Sequence, residues 1–195
     1  MTPTIIALIV AAVVVVWAIW AYNRFVRLVR HTSEAWADID VQLKRRYDLI
    51  PNLIESVKGY VAHERGTLEA VTEARAQATA VHVDPTNITP EQIQAMAAAE
   101  GALSGALGRL LAVAESYPDL KASQNFVELQ RELTDTENKI QAARRFYNGN
   151  VRDLGIALES FPSNVIGNMF NFKNREYFEL GENEEAAREP VKVSF

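Results

Sequence analysis

The stretch "KRRYDLIPNLIESVKGY", residues 44–60, decides how the body of this chain folds, because it places Pro51 inside an otherwise amphipathic helical run. Apolar residues keep a three-four spacing from Tyr47 through Ile50 to Ile54, which suits one helix continuing across the proline. Against that, proline removes a backbone donor and crowds the preceding turn, at a cost of ~3 kcal/mol or more in a helix interior. Asp48 is placed to cap a new helix that carries Pro51 in its first turn. A mild kink stays possible, but the expectation is a break or sharp bend. Splitting the body there leaves four helical segments of about 25 to 35 residues, lengths that suit a four-helix bundle.

The remaining seams support an all-α body. The first runs through Trp36, Leu43, Tyr47, Ile50, Ile54, Val57, Val61, Leu68, Val71 and Ala78. A loop, "HVDPTNITP", follows. Thr89, Pro90 and Gln92 then make a helix start, with Thr89 as N-cap, proline at the first position and Gln92 completing a capping box. The second seam is Ile93, Met96, Glu100, Leu103, Leu107, Leu110, Ala114 and Tyr117, closed by "YPDL". The third is Phe126, Leu129, Leu133, Thr136, Ile140, Ala143, Tyr147, Asn150, Leu154 and Ala157, closed by "SFPSN". Such stripes pack knobs into holes, as in a coiled coil.

Upstream lies "TIIALIVAAVVVVWAIWAY", from Thr4 to Tyr22, without a charge. As a helix it reaches ~28 Å, near the thickness of a bilayer's hydrocarbon core. Ile5, Leu8 and Val13 are typical of its apolar length; Trp17, Trp20 and Tyr22 crowd the C-terminal edge, where amphipathic rings favour the interface. A cleaved signal peptide needs a basic start and a small-x-small site, and neither is present. The segment reads as an uncleaved membrane anchor. No Lys or Arg precedes it, whereas Arg24, Arg27 and Arg30 follow, then Lys44, Arg45 and Arg46. Positive flanks stay inside, so the N-terminus is expected outside and the main domain in the cytoplasm, with the arginines near anionic headgroups. The division expected is an anchor over 1–23, a helical body over 24–160, and a tail over 161–195 that packs on the body and is partly mobile.

These segments resemble the LemA family. The shared strings are "WADIDVQLKRRYDLIPNLIESVKGYVAHE", "LLAVAESYPDLKASQNFVELQRELTDTENKI", "ARRFYN", "FPSNVIG", "REYFEL" and "VKVSF". The resemblance spans Ile5 to Phe195, with one departure, "VRDLGIALESFP", where a second Tyr-Asn pair is expected in place of Leu154 and Gly155. It implies a bacterial single-pass membrane protein with an antiparallel four-helix bundle, and no assigned catalytic residue.

Chemistry is hard to find in this sequence. The net charge of −5 argues against a nucleic-acid binder, and the absence of cysteine excludes disulfides and thiolate catalysis. "HERGT" at His63 has Thr67 where a zinc-protease helix needs its second histidine, so no metal is expected. "GALSGALG", Gly101 to Gly108, lies inside a helix rather than between strand and helix; close helix approach is the expectation, not phosphate binding. Neither a cofactor nor a small-molecule substrate is expected, nor an enzyme. Polar residues in the seams, Glu64, Arg75, Glu100, Thr136 and Asn150, suggest register-setting contacts, and a buried network of Glu100, Glu137 and Arg144 is the sharper expectation. Phe161, Met169, Phe170, Phe172, Tyr177 and Phe178 are too apolar for a free linker and are expected to pack along the bundle or meet a partner. The function expected is a membrane-anchored scaffold that self-associates or recruits a protein partner beside the lipid bilayer; the alternative is a membrane-tethered sensor with Pro51 as its switching element.

Overall fold

A computed structural model describes residues 3–60 and 64–179. Those residues form six helices and no strand: α1 (Pro3–Lys58), α2 (Arg65–Ala80), α3 (Pro90–Ala114), the one-turn α4 (Pro118–Lys121), α5 (Gln124–Glu159) and α6 (Ser163–Met169). The three seams read from spacing supply most of the interior. Trp36, Leu43, Ile50 and Val57 of α1 are buried with Leu103 and Leu110 of α3 and Ile140 and Tyr147 of α5, in one cluster that α2 joins through Val71 and Ala78. At ~25 cal/mol per Å2 of apolar surface, each large side chain there contributes roughly 1.5–3 kcal/mol. α1 and α5 lie along one another, Trp36 beside Tyr147 and Arg46 beside Glu137, while α2 lies along α3.

Pro51 does not break the chain. α1 runs through it without interruption for 56 residues, and Asp48 caps nothing; the turn comes at Gly59 and Tyr60. The physical reason is on a neighbouring helix. Proline at 51 deprives the Tyr47 carbonyl of its intrahelical donor. Arg75 of α2 supplies one instead, its Nε donating to the Tyr47 oxygen at 2.8 Å. The pyrrolidine ring itself faces solvent, where it displaces no packed side chain.

The N-terminus of α3 follows its sequence. Thr89 accepts from the Gln92 amide at 3.3 Å and Gln92 accepts from the Thr89 amide at 3.2 Å, a complete capping box behind Pro90. "GALSGALG" needs a correction. A side-chain carbon added at Gly101 or Gly108 would meet nothing within 4 Å, and one at Gly105 only the tip of Arg109. These glycines therefore permit no close helix approach; they lie off the seam formed by Leu103, Leu107 and Leu110.

The segment after α5 is more ordered than loss of helical phase suggests. α6 seats Ile166 and Gly167 against α1, and Asn171, in the left-handed region (φ 55), turns the chain back. Phe172 then stacks on Phe25, ring centroids 5.0 Å apart. Residues 172–179 continue without helix along α5. Tyr147 donates its hydroxyl to the Glu176 carbonyl at 3.0 Å, and the Asn148 amide both accepts from Phe178 N at 2.9 Å and donates to Phe178 O at 3.2 Å. The Phe178 ring is fully buried beside Trp36. Of the tail expected over 161–195, residues 180–195, including "VKVSF", lie outside the described residues, as do Val61 and His63.

If Arg75 replaces the missing backbone donor, Arg75→Ala lowers stability by about 1–3 kcal/mol, the cost of an unsatisfied carbonyl. The same change in a Pro51→Ala background costs clearly less, because residue 51 then offers its own N–H. Denaturant titration of the four proteins in detergent measures the coupling.

Candidate functional site: an apolar helix end and a buried ion cluster

The first part of α1 makes almost no contact with protein. From Pro3 to Val16 every residue is exposed, including Thr4, Ile5, Leu8 and Val13, so apolar side chains cover the helix on all sides. A soluble helix keeps one apolar stripe and turns polar residues outward; one that is apolar all round is suited to lipid. The helix is long and apolar enough to cross a membrane. α3 meets the same test of length and composition, but its apolar seam is packed into the core and carries a buried Glu100. At the far edge of the apolar run Trp17 is half-buried, Trp20 and Tyr22 are exposed, and the Arg24 guanidinium sits 5.9 Å from the Trp20 ring. Arg27 and Arg30 follow on exposed positions.

One helix length further on, α1 carries a charge into the core. Arg46 is 2% exposed and touches two carboxylates: its Nη2 pairs with Glu100 of α3 and its Nη1 with Glu137 of α5 at 2.8 Å. Nη1 also reaches the Ser104 hydroxyl at 3.3 Å. Tyr47 completes the group by donating its hydroxyl to the other Glu100 oxygen. Burial pushes the Tyr47 phenol up to about 12, so it is a neutral donor at physiological pH. Burial also pulls the Arg46 guanidinium down, while Glu137 and its hydrogen bond act the other way. Beside the cluster is a cavity of about 300 Å3 between α3 and α5, walled by Leu107, Leu111 and Leu133, with Arg46 and Glu137 at its edge.

The network expected from sequence is thus assembled around a different cation. Glu100 and Glu137 meet, but on Arg46. Arg144, the cation expected there, lies under the tail, its Nε donating to the Phe178 carbonyl at 3.4 Å and its guanidinium 5.4 Å from the Phe178 ring. The signal for Arg46 was present: Ile39, Leu43, Arg46, Ile50, Leu53 and Val57 form an unbroken alternation of fours and threes. It was hidden because Arg46 also belongs to a basic triplet downstream of an apolar span, where arginine reads as a topology signal. Thr136, another polar seam residue, satisfies itself by donating to the Glu132 carbonyl at 2.8 Å.

Gly155, at the departure from the Tyr-Asn pattern, is buried, and a side-chain carbon there would come within 3.1 Å of the Asn174 amide. Its small size lets the returning tail lie close, while the preceding Leu154 is buried with Phe25, Ala157 and Ile166 in a second core cluster. Among the described residues no three His, Cys, Asp or Glu side chains converge as metal ligands. His31 contacts Glu34 at 3.3 Å on the surface.

An apolar helix end fused to a helical body defines a class of proteins, and comparison identifies which. The model of the LemA family matches residues 35–195, and the chain belongs to that family. Magnetosome protein MamQ 2 of Paramagnetospirillum magneticum is 26% identical over 175 residues, covering 81% of this chain and 64% of its own length. Magnetosome protein MamQ of Magnetospirillum gryphiswaldense is 24% identical over 174 residues, with 80% and 64% covered. Protein LemA of Metamycoplasma hominis is 26% identical over 160 residues, with 82% and 69% covered. The chain therefore spans 64% of the length of the magnetosome relatives it matches.

Arg46→Met leaves Glu100 buried without its counter-charge and costs about 3–5 kcal/mol; Arg46→Met with Glu100→Leu recovers most of that loss, because an apolar replacement for a buried pair is often neutral. Lys139→Ala, which removes a surface pair with Asp135, costs no more than about 1 kcal/mol. Guanidinium unfolding followed by circular dichroism ranks the three.

Proposed function

We propose that this protein is a non-enzymatic membrane-anchored scaffold, whose helical body self-associates or recruits protein partners beside the bilayer. The observation that carries the reading is the single α1, exposed and apolar from Pro3 to Val16 and built into the core from Ala21 to Val57. An anchor continuous with a core helix holds the body upright and close to the surface, rather than trailing on a flexible linker. Tethering of this kind raises local concentration, so weak contacts between bodies become effective. The arginines after the span favour a cytoplasmic body and an external N-terminus. The order of contacts, with α1 positions 25, 36 and 46 meeting progressively earlier parts of the following helices, favours an antiparallel bundle.

The buried cluster suits this role better than catalysis. Its charges pair with one another, Arg46 and Glu100 inside the core and Glu137 at its partly exposed edge, and an arrangement of that kind favours one set of facing surfaces among three helices. The sensor reading relied on Pro51 as a switching element, and the unbroken helix with its carbonyl held by Arg75 withdraws that support.

Two measurements test the proposal. Full-length protein stays in the membrane pellet after alkaline carbonate extraction and a chain lacking residues 1–23 moves to the soluble fraction; recovery of the full chain in the soluble fraction contradicts anchoring. Crosslinking in native membranes gives a species larger than one chain; a strictly monomeric protein with no crosslinked partner contradicts scaffolding.

A further inference from the structure

α6 carries a second apolar surface at the level of the membrane-facing end of α1. Its inner side, Ser163, Ile166 and Gly167, is buried. A side-chain carbon at Gly167 would lie 2.9 Å from Leu158 and 3.2 Å from Phe25, so this glycine lets α6 press directly onto α1 and α5. The opposite side presents Val165 and Met169, spaced by four, with Phe161 just before the helix and Phe170 just after it. All are exposed, Phe161 at 83% and Met169 at 69%. The whole stretch from Ser160 to Phe172 lacks a charged residue, and Lys173 follows it on an exposed position. Large apolar patches bordered by polar residues mark interaction surfaces.

The position of this patch along α1 identifies what covers it. α6 and the residues after it meet α1 inside the apolar run: Trp17, Ala18 and Ala21 pack into the cluster that holds Ile166, and Tyr22 contacts Phe170 with ring centroids 4.8 Å apart. Among the described residues, the part of α1 that is exposed throughout is Pro3 to Val16, about 21 Å of helix. A bilayer's hydrocarbon core is about 30 Å thick. If the body stopped at the headgroups, the last part of the apolar run would stand outside the lipid together with Trp20 and the α6 patch. Seating the α5–α6 corner in the membrane interface removes both mismatches, and puts Arg24, Arg27 and Lys173 near the lipid phosphates.

We infer that the outward side of the α5–α6 corner, with Phe161, Val165, Met169 and Phe170, is a second lipid-contact surface that dips into the interfacial layer of the bilayer beside α1. The inference rests on the anchoring of α1 proposed above and extends it. It fixes the tilt and rotation of the body, because two separate contacts with one surface leave little freedom about the helix axis.

Single cysteines introduced into the cysteine-free full chain test it, each labelled with an environment-sensitive fluorophore in vesicles containing anionic lipid. Met169→Cys is the probe. Val13→Cys reports the anchor, and Glu128→Cys, near the start of α5 and about 44 Å along that helix from Ala157, reports water. Nitroxide lipids labelled near the headgroup are expected to quench Met169→Cys severalfold more than Glu128→Cys, with blue-shifted emission that does not change as protein is diluted in lipid. Water-like emission at position 169 with blue-shifted emission at position 13 overturns this inference and leaves the anchor standing. Blue-shifted emission at 169 without lipid quenching means that a second copy or another protein covers the patch, and also overturns it. Water-like emission at position 13 contradicts the anchor, and the inference falls with it.

Discussion

Helix α1 has to satisfy two solvents along one axis, and the rest of the structure depends on its doing so without a break. Its first turns are covered in Ile, Val and Leu on every side, which only an apolar surrounding tolerates at low cost; its later turns restrict the apolar residues to a seam that α3 and α5 enclose. The weak point is Pro51. A carbonyl without a donor in the last quarter of a 56-residue helix invites water and bending, and Arg75 closes that opening from α2. One side chain thereby joins the second helix to the first and keeps the first one continuous.

A different contact joins α1 to α3 and α5. Arg46 in the α1 seam finds a carboxylate on α3 and another on α5, so sliding any of the three helices separates it from a partner, and of these the Arg46–Glu100 pair has already lost its water. An apolar core alone would tolerate such a slip, because Leu packs against Leu at several offsets. The ion cluster adds less to stability than the surrounding Leu, Ile and Trp side chains, yet it distinguishes one alignment from its neighbours. Below it, the tail performs a related task. Tyr147 and Asn148, from one turn of α5, hold the backbone of residues 176–178, and Arg175 reaches the Ile88 carbonyl before α3 at 2.8 Å. A segment with no regular structure of its own thus links the long helix to the loop on the other side of the body.

Much of this was legible in the sequence, and the gaps have physical causes. The α3 and α5 seams could be read residue by residue because each helix buries one stripe, and periodicity records that directly. The capping box at Thr89 was legible because its partners are three residues apart. Pro51 misled because the rule for proline concerns a helix in isolation, whereas the compensating donor lies 28 residues away on another helix. Arg144 is the expected cation for a similar reason: only tertiary placement shows that the guanidinium between the carboxylates is that of Arg46, which the sequence presents as part of a basic flank. α6 is short and its apolar residues are divided between two faces, so it lacked a helical stripe that points to one core. The family resemblance and its match over residues 35–195 agree on membership, but neither names a reacting group.

A rigid α1 holds its apolar end and its core seam at a fixed separation, which a distance along the helix reads out. Ile19 and Glu55 are both exposed on α1 and are separated by 36 residues, a whole number of turns, so labels at the two positions project from the same side. Pulsed electron–electron double resonance between spin labels at these positions, in full-length protein reconstituted in bilayers, should give one narrow distribution centred at about 54 Å. A broad distribution, or a mean shorter by a helical turn or more, would show that the chain bends near Pro51 and would contradict the account.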